Sequence, residues 1–263
     1  MLRFRRRAGR TDSAPPPLPS DTGGVRAYAI GDIHGRIDLF DQLLDMIARD
    51  DAARAAAPTC LILLGDLVDR GPRSAEVVAR AMHLSAMGGD VRFLMGNHEE
   101  VFLMAARGDV RAAGVFRRIG GVETLASYGL DEAASSAMDD AAIAAWMLAH
   151  IPRDHVDFIA RFADMTQVGD YLFVHAGIRP RVPIEAQTPA DLHWIREEFL
   201  GHRAMFDKIV VHGHSITADV DARANRIGID TGAYFSDRLT AIGLYGADRW
   251  FLQTGDGGVR DGG

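Results

Sequence analysis

Apolar positions follow two textures along the chain. Residues 25–30 (VRAYAI), 60–64 (CLILL) and 91–95 (VRFLM) are short, nearly continuous apolar runs. Runs of this length fit strands covered on both faces. Between them, residues 39–56 and 74–84 carry apolar side chains at helical spacing. Strands alternating with helices predict α/β layering with parallel pairing. From about 99 to 165 the pattern changes. The segments 101–107, 122–128, 142–150 and 155–163 all read as helix, and no strand pattern interrupts them. This predicts a mostly helical insertion on an α/β frame. Strands return at 171–176, 208–213, 226–230, 238–245 and 249–254. The last four lack long helices between them, so a more antiparallel second sheet is expected. No internal repeat is present.

Residues 1–24 have a different character. Five arginines (Arg3, Arg5, Arg6, Arg7, Arg10) precede Pro15, Pro16, Pro17 and Pro19. Such a segment has little to bury, and a disordered Arg/Pro-rich tail is expected. The remaining residues, 25–263, then form one catalytic domain. The basic start has no apolar stretch behind it, so it does not read as a signal peptide.

Composition narrows the classes. The chain has 263 residues, 48% hydrophobic and 25% charged, with net charge −7. A chain of this size buries a real core without staples. The acidic balance argues against nucleic acid as a partner. The single cysteine, Cys60, excludes a disulfide framework and a multi-cysteine zinc site. It lies inside an apolar run and reads as core. No stretch reaches the roughly 18 apolar residues of a membrane span. A cytoplasmic location is expected.

Five short polar motifs stand just past strands. They are Gly31-Asp32-Ile33-His34-Gly35, Gly65-Asp66-Leu67-Val68-Asp69-Arg70-Gly71, Gly96-Asn97-His98-Glu99, His175-Ala176-Gly177 and His212-Gly213-His214. Open α/β sheets bind ligands at that edge. Singly each motif is weak; in order, each behind a strand, they are specific. The chemistry they offer is a metal site. Asp, Asn and His donors without thiolate suit Mn, Fe, Zn or Mg. Six such donors exceed one tetrahedral shell. They suit two ions sharing a carboxylate, a spacing of about 3.5–4 Å in two-metal sites. Two carboxylates, Asp32 and Asp66, against two dications leave a positive surplus, to which Arg70 adds. An anionic substrate follows.

These motifs resemble the phosphoprotein phosphatase branch of the calcineurin-like metallophosphoesterases. That branch holds serine/threonine protein phosphatases, lambda-type phosphatases and symmetrical diadenosine tetraphosphatases. The resemblance spans about residues 25–254 and implies a four-layer αββα sandwich. It implies Asp32 and His34 on a first metal, Asp66 bridging, and Asn97, His175 and His214 on a second. His98 would be the general acid, with Asp69 holding its imidazole and favouring its protonated form. Arg70 and Arg196, with Asn97, would bind substrate phosphate. Manganese is the first expectation for the metals, with iron or zinc as alternatives. The implied reaction is direct attack of metal-held hydroxide on phosphorus, without a phosphoenzyme.

The sequence also departs from the branch. His212 stands where eukaryotic members carry arginine, and it reads as support for the ligands. The eukaryotic Ser-Ala-Pro-Asn-Tyr loop is absent. In its area stands Ile229-Asp230-Thr231-Gly232-Ala233-Tyr234, where Asp230 or Tyr234 could face the site. These segments and His175–Pro180 look bacterial. Glu99 reads as a hydrogen-bonding support, and His193 as structural. His83, His150, His155 and His202 read as surface or capping residues.

Phosphoprotein, at serine or threonine with tyrosine as a further option, is the first substrate expectation. Diadenosine tetraphosphate or a small phosphoester is the alternative. A nucleotide substrate would need basic and aromatic residues near the metals, for which Arg117, Arg118, Tyr128, Arg179 and Arg181 are candidates. A non-catalytic scaffold would have lost a ligand or the acid, and none is lost.

Overall fold

The computed structural model describes residues 20–255 and 258–261. Three strands carry the first half of the frame: β1 (Arg26–Ile30), β2 (Thr59–Leu63) and β3 (Asp90–Phe93). They pair in parallel, joined through α1 (Ile37–Ala53) and α2 (Ser74–Ala86). Strands β9 (Thr240–Tyr245), β10 (Asp248–Gln253) and β11 (Gly258–Asp261) extend this sheet on the β1 side, giving the order β11-β10-β9-β1-β2-β3. The second sheet has the order β4-β5-β6-β8-β7, from β4 (Met165–Val168), β5 (Tyr171–Val174), β6 (Ile209–His212), β7 (Asp221–Ala222) and β8 (Arg226–Gly228).

The pleat of β1 explains the layers. Ala27 and Ala29 face the second sheet, in a core with Cys60, Ile62, Phe173, Val211, Ile227, Ile242 and Leu244. Tyr28 and Ile30 point the other way, into a core with Phe40, Leu43, Val77, Phe102 and Phe116. Alternate strand residues must face opposite sides. The outer face of the second sheet, with Leu172, Val174 and Val210, packs on Leu192 of α9 (Pro189–Trp194) and Phe199 of α10 (Glu197–Leu200). Helices, sheet, sheet and helices form the four-layer αββα sandwich. Cys60 is fully buried between the sheets, and burial pushes its thiol up to about 12. It is a core residue.

Six helices separate β3 from β4: α3 (Asn97–Ala106), α4 (Val110–Arg118), α5 (Gly121–Ser127), α6 (Glu132–Ala137), α7 (Asp140–His150) and α8 (Arg153–Ile159). Asp109, Asp131 and Asp139 cap α4, α6 and α7 by accepting backbone N–H bonds. Such caps satisfy orphan donors at helix starts.

Two expectations need correction. The second sheet is mixed, not mainly antiparallel. Strands β5, β6 and β8 are parallel, with antiparallel β4 and β7 at the edges. The segment 175–208 is long enough for a parallel crossover, and β9 and β10 join the first sheet, β9 antiparallel to β1 and β10 antiparallel to β9. The expected tail also ends earlier than residue 24. Ser20 and Thr22 are buried. The Ser20 hydroxyl meets Tyr171 Oη at 2.9 Å, Asp21 N–H donates to Asp170, and Thr22 Oγ1 accepts from Gly246 N–H. These bonds fasten residues 20–24 to two turns of the sandwich. Residues 1–19 lie outside the described residues.

Candidate metal centre

The parallel strands end at one edge, and the motifs begin there. Asp32 and His34 follow β1, Asp66, Asp69 and Arg70 follow β2, and Asn97 and His98 open the helix after β3. His175 follows β5, and His214 follows β6. All of these except Arg70 are buried. Seven non-glycine residues among those described have left-handed backbone, and five of them are His34, Asp66, Asp69, Arg70 and His214. That conformation is costly for residues with a Cβ and persists only where the surroundings over-determine it. Glu99 supplies much of the restraint. Its buried carboxylate accepts N–H bonds from Asp66 and Leu67 at 2.7 Å, and from Val68 at 3.2 Å. Glu99 is therefore a support, and burial pushes it up to about 7.

The imidazoles are oriented as ligands should be. His34 Nδ1 donates to the Val68 carbonyl, and His175 Nδ1 donates to the Leu64 carbonyl, both at 2.8 Å. Each bond leaves the Nε2 lone pair pointing inward. Burial holds both rings well below the usual imidazole value, so they are neutral. His214 is pushed down to about 3, chiefly by burial, and its buried Nε2 has no hydrogen-bond partner.

Asp66 joins two donor sets. Its Oδ2 lies 3.5 Å from His34 Nε2, and its Oδ1 lies 3.4 Å from His175 Nε2. His34, Asp66 and His98 form one group of converging donor atoms, and Asp66, His175 and His214 form the other. Asn97 Oδ1 sits 3.0 Å from His175 Nε2, on the second side. Asp32 accepts the His214 backbone N–H at 3.1 Å. Gly213 permits this approach, because a Cβ there would strike the Asp32 carboxylate. Burial, then Asp230 and Asp66, push Asp32 well above the usual carboxylate range. Crowded buried acids of this kind ask for a cation. The orphaned His214 Nε2, the neutral rings and the shared carboxylate fit two divalent ions.

His98 differs from the other histidines. Its Nδ1 is 2.6 Å from Asp69 Oδ2, and Thr124 Oγ1 donates to the other Asp69 oxygen at 2.7 Å. The Asp69 backbone N–H is shared between Ser74 and Thr124. Arg70 donates to Nε2 of both His34 and His98, at 3.0 and 2.9 Å. The His98 pKa is lowered from the usual imidazole value. Burial lowers it, outweighing the pull of the Asp66 carboxylate, and Arg70 and Arg196 lower it further. Asp69 orients this ring. Arg196 is exposed, and its charge reaches both His98 and His214.

His212 is no donor to the centre. Its Nδ1 faces the Gly213 carbonyl and its Nε2 faces Arg226, while its ring meets Phe199 edge-on. Asp230 is nearly fully buried beside Asp32. One of its oxygens accepts the Gly232 N–H, and the other has no partner. Tyr234 meets the His34 ring edge-on. Both therefore face the site. Of the residues considered for a nucleotide, Arg117 pairs with Asp140, Arg179 with Asp191 and Glu198, and Tyr128 with His155. Arg118 and Arg181 are exposed.

A model for calcineurin-like phosphoesterases matches residues 25–239. The chain belongs to this family. This phosphoesterase is 37% identical over 154 residues to a symmetrical bis(5'-nucleosyl)-tetraphosphatase of Delftia acidovorans, covering 59% of the chain and 45% of the relative. It is 34% identical over 183 residues to a protein of the same name from Acidovorax sp., covering 70% of the chain and 50% of the relative. The chain thus spans about half the length of these curated relatives. In fold it is similar to a crystal structure of a candidate diadenosine tetraphosphatase, with TM-score 0.60, 18% identity, and 92% and 97% of the two chains covered. It is also similar in fold to a cold-active protein-tyrosine phosphatase of a psychrophilic Shewanella, with TM-score 0.54, 16% identity, and 94% and 86% covered.

A buried histidine of α9 has a raised pKa. His193, almost fully buried in α9, contacts Glu100 of α3 at 2.9 Å and Asp164 at 3.1 Å. Burial lowers its pKa, but the two carboxylates outweigh burial and leave it raised. Its contribution is therefore complete below the unfolded histidine value and fades as pH rises through the raised folded value. Wild type should exceed His193→Asn in unfolding free energy by on the order of 1 kcal/mol near pH 6, given half-exposed carboxylates. The gap should shrink by about pH 9. Urea denaturation at both pH values checks this; a gap that widens with pH contradicts it.

Proposed function

We propose that this chain is a dinuclear-metal phosphoesterase that cleaves the phosphoanhydride bond of a dinucleoside polyphosphate. The observation that carries the chemistry is Asp66, whose two oxygens face different imidazoles. The substrate class rests on the relatives, named as symmetrical bis(5'-nucleosyl)-tetraphosphatases. This favours the nucleotide expectation over the phosphoprotein one.

Asp32 and His34 would hold one ion, Asn97, His175 and His214 the other, and Asp66 both. Oxygen and nitrogen donors of this mix suit manganese, iron or zinc. When bound, two such ions supply Lewis acidity and an activated nucleophile for in-line displacement at phosphorus. The protein does the rest. Arg70 presents two N–H groups toward the centre, and its planar fork matches phosphate oxygens. Arg196 adds positive charge at the mouth. Asp69 fixes His98 with Nε2 inward, so this atom can deliver a proton to the leaving oxygen. A polyanionic substrate draws Arg70 onto itself and raises the proton affinity of His98. Substrate binding thus readies the acid.

The test is hydrolysis by the Mn-loaded protein of diadenosine tetraphosphate beside phosphoserine, phosphothreonine and phosphotyrosine peptides. The expected result is the highest kcat/KM on the dinucleotide, with two ADP as product. A higher kcat/KM on a peptide overturns the substrate reading and returns the phosphoprotein one. Among the described residues no helix is long and apolar enough to cross a membrane.

A further inference from the structure

The rim of the centre carries an aromatic ledge that the phosphate chemistry does not use. It begins at Tyr234, whose ring lies 5.6 Å from the His34 ring and 5.0 Å from the Arg70 guanidinium carbon. Phe235 follows, edge-on to Tyr234 at 5.0 Å, and it is 61% exposed. Ile216, two residues after His214, is 39% exposed. Both side chains converge on Gly232, which has left-handed backbone at φ 70°. A Cβ at Gly232 would strike the Phe235 ring and come within 3.2 Å of Ile216 Cγ2.

The ledge is exposed yet seated. Asp230 Oδ1 accepts the Gly232 N–H at 2.9 Å, and the Gly232 carbonyl accepts from Phe235 at 3.0 Å. The Ser236 hydroxyl donates to the Thr231 carbonyl at 2.8 Å. These bonds fix the turn, and the Phe235 ring rests on the bare backbone of Gly232. A rigid aromatic face open to water gains most from a planar partner, at little entropic cost. Its position selects that partner. Tyr234 separates it from Arg70, so a ligand with phosphate at Arg70 places its next planar group here.

We infer that Phe235, backed by Ile216, is a stacking platform for a nucleobase of the substrate. The inference rests on the nucleotide reading above and goes further by naming the base subsite. It also accounts for the engagement of Tyr128, Arg117 and Arg179 elsewhere: the base meets the turn after β8, not the helical insertion.

Binding of ADP and of inorganic pyrophosphate to the Mn-loaded full chain, by calorimetry, separates base from phosphate. In wild type ADP should bind more tightly than pyrophosphate. Phe235→Ala should reduce the ADP-to-pyrophosphate affinity ratio by roughly 5- to 150-fold, the range of base–aromatic stacking. Phe235→Trp should restore it. Equal affinities in wild type, or a ratio that Phe235→Ala leaves unchanged, overturn the platform. A ratio that responds in a protein that does not hydrolyse diadenosine tetraphosphate upholds the platform and rejects only that substrate. Hydrolysis of the dinucleotide with an unresponsive ratio does the reverse.

Discussion

Replacing His98 with asparagine should lower kcat by about 10²–10⁴, the usual worth of a general acid, while the metal content stays that of wild type. The prediction decides between two roles. His98 belongs by position to the donor group with His34 and Asp66. Its hydrogen bonds favour the other role. Asp69 takes Nδ1 at 2.6 Å, and Nε2 stands 3.9 Å from the nearest Asp66 oxygen, farther than His34 does at 3.5 Å. A ring held by a buried carboxylate, beside an arginine fork, is placed to pass a proton to a phosphate ester. Asparagine is smaller, can still donate to Asp69, and carries no titratable nitrogen. Elemental analysis beside steady-state kinetics reads both quantities. Loss of one ion with the activity makes His98 a ligand and removes it as the acid.

The second large effect is at Asp66. Asp66→Asn should weaken binding of both ions by more than about 100-fold, beyond the loss typical of groups that only support ligands. Activity should fall with occupancy. The amide loses the negative charge that two dications would share, and it turns one oxygen into a donor facing an imidazole. The same change should not harm the metal-free fold. Burial pushes the Asp66 carboxyl up to about 7, so ionising it costs stability that increases with pH from the unfolded carboxylate value upward. Asparagine removes that cost. Metal-free Asp66→Asn is expected to melt at or above metal-free wild type at pH 8. A residue kept for packing would melt lower.

Much of the donor set is legible in the sequence because each motif is local. A continuous apolar run predicts a buried strand, and a Gly-Asp or Gly-Asn step after it marks the ligand-bearing edge. Thus Asp32, Asp66, Asn97, His175 and His214 could be placed at one edge before any pairing was known. What could not be read was long-range. The apolar run of β9 has the same pattern whether it joins the first sheet or the second, and only its pairing with β1 decides. The Glu99 carboxylate grips backbone N–H groups more than thirty residues away. Thr124 and Ser74 reach Asp69 from two helices without any motif. The docking of Ser20–Gly24 depends on the turns at Asp170 and Gly246. Left-handed backbone at five site residues leaves no mark in a sequence, since Asp, His and Arg occur everywhere. The balance of burial and charge at His98 is hidden for a related reason. Spacing shows the Asp69 partner, but it does not show the burial that outweighs charge.

The most direct measurement is the metal stoichiometry of the purified chain, titrated with Mn²⁺ to saturation and counted by elemental analysis. A carboxylate shared between two donor sets requires two ions per chain. One ion per chain at saturation would contradict the shared role of Asp66, and with it the dinuclear account.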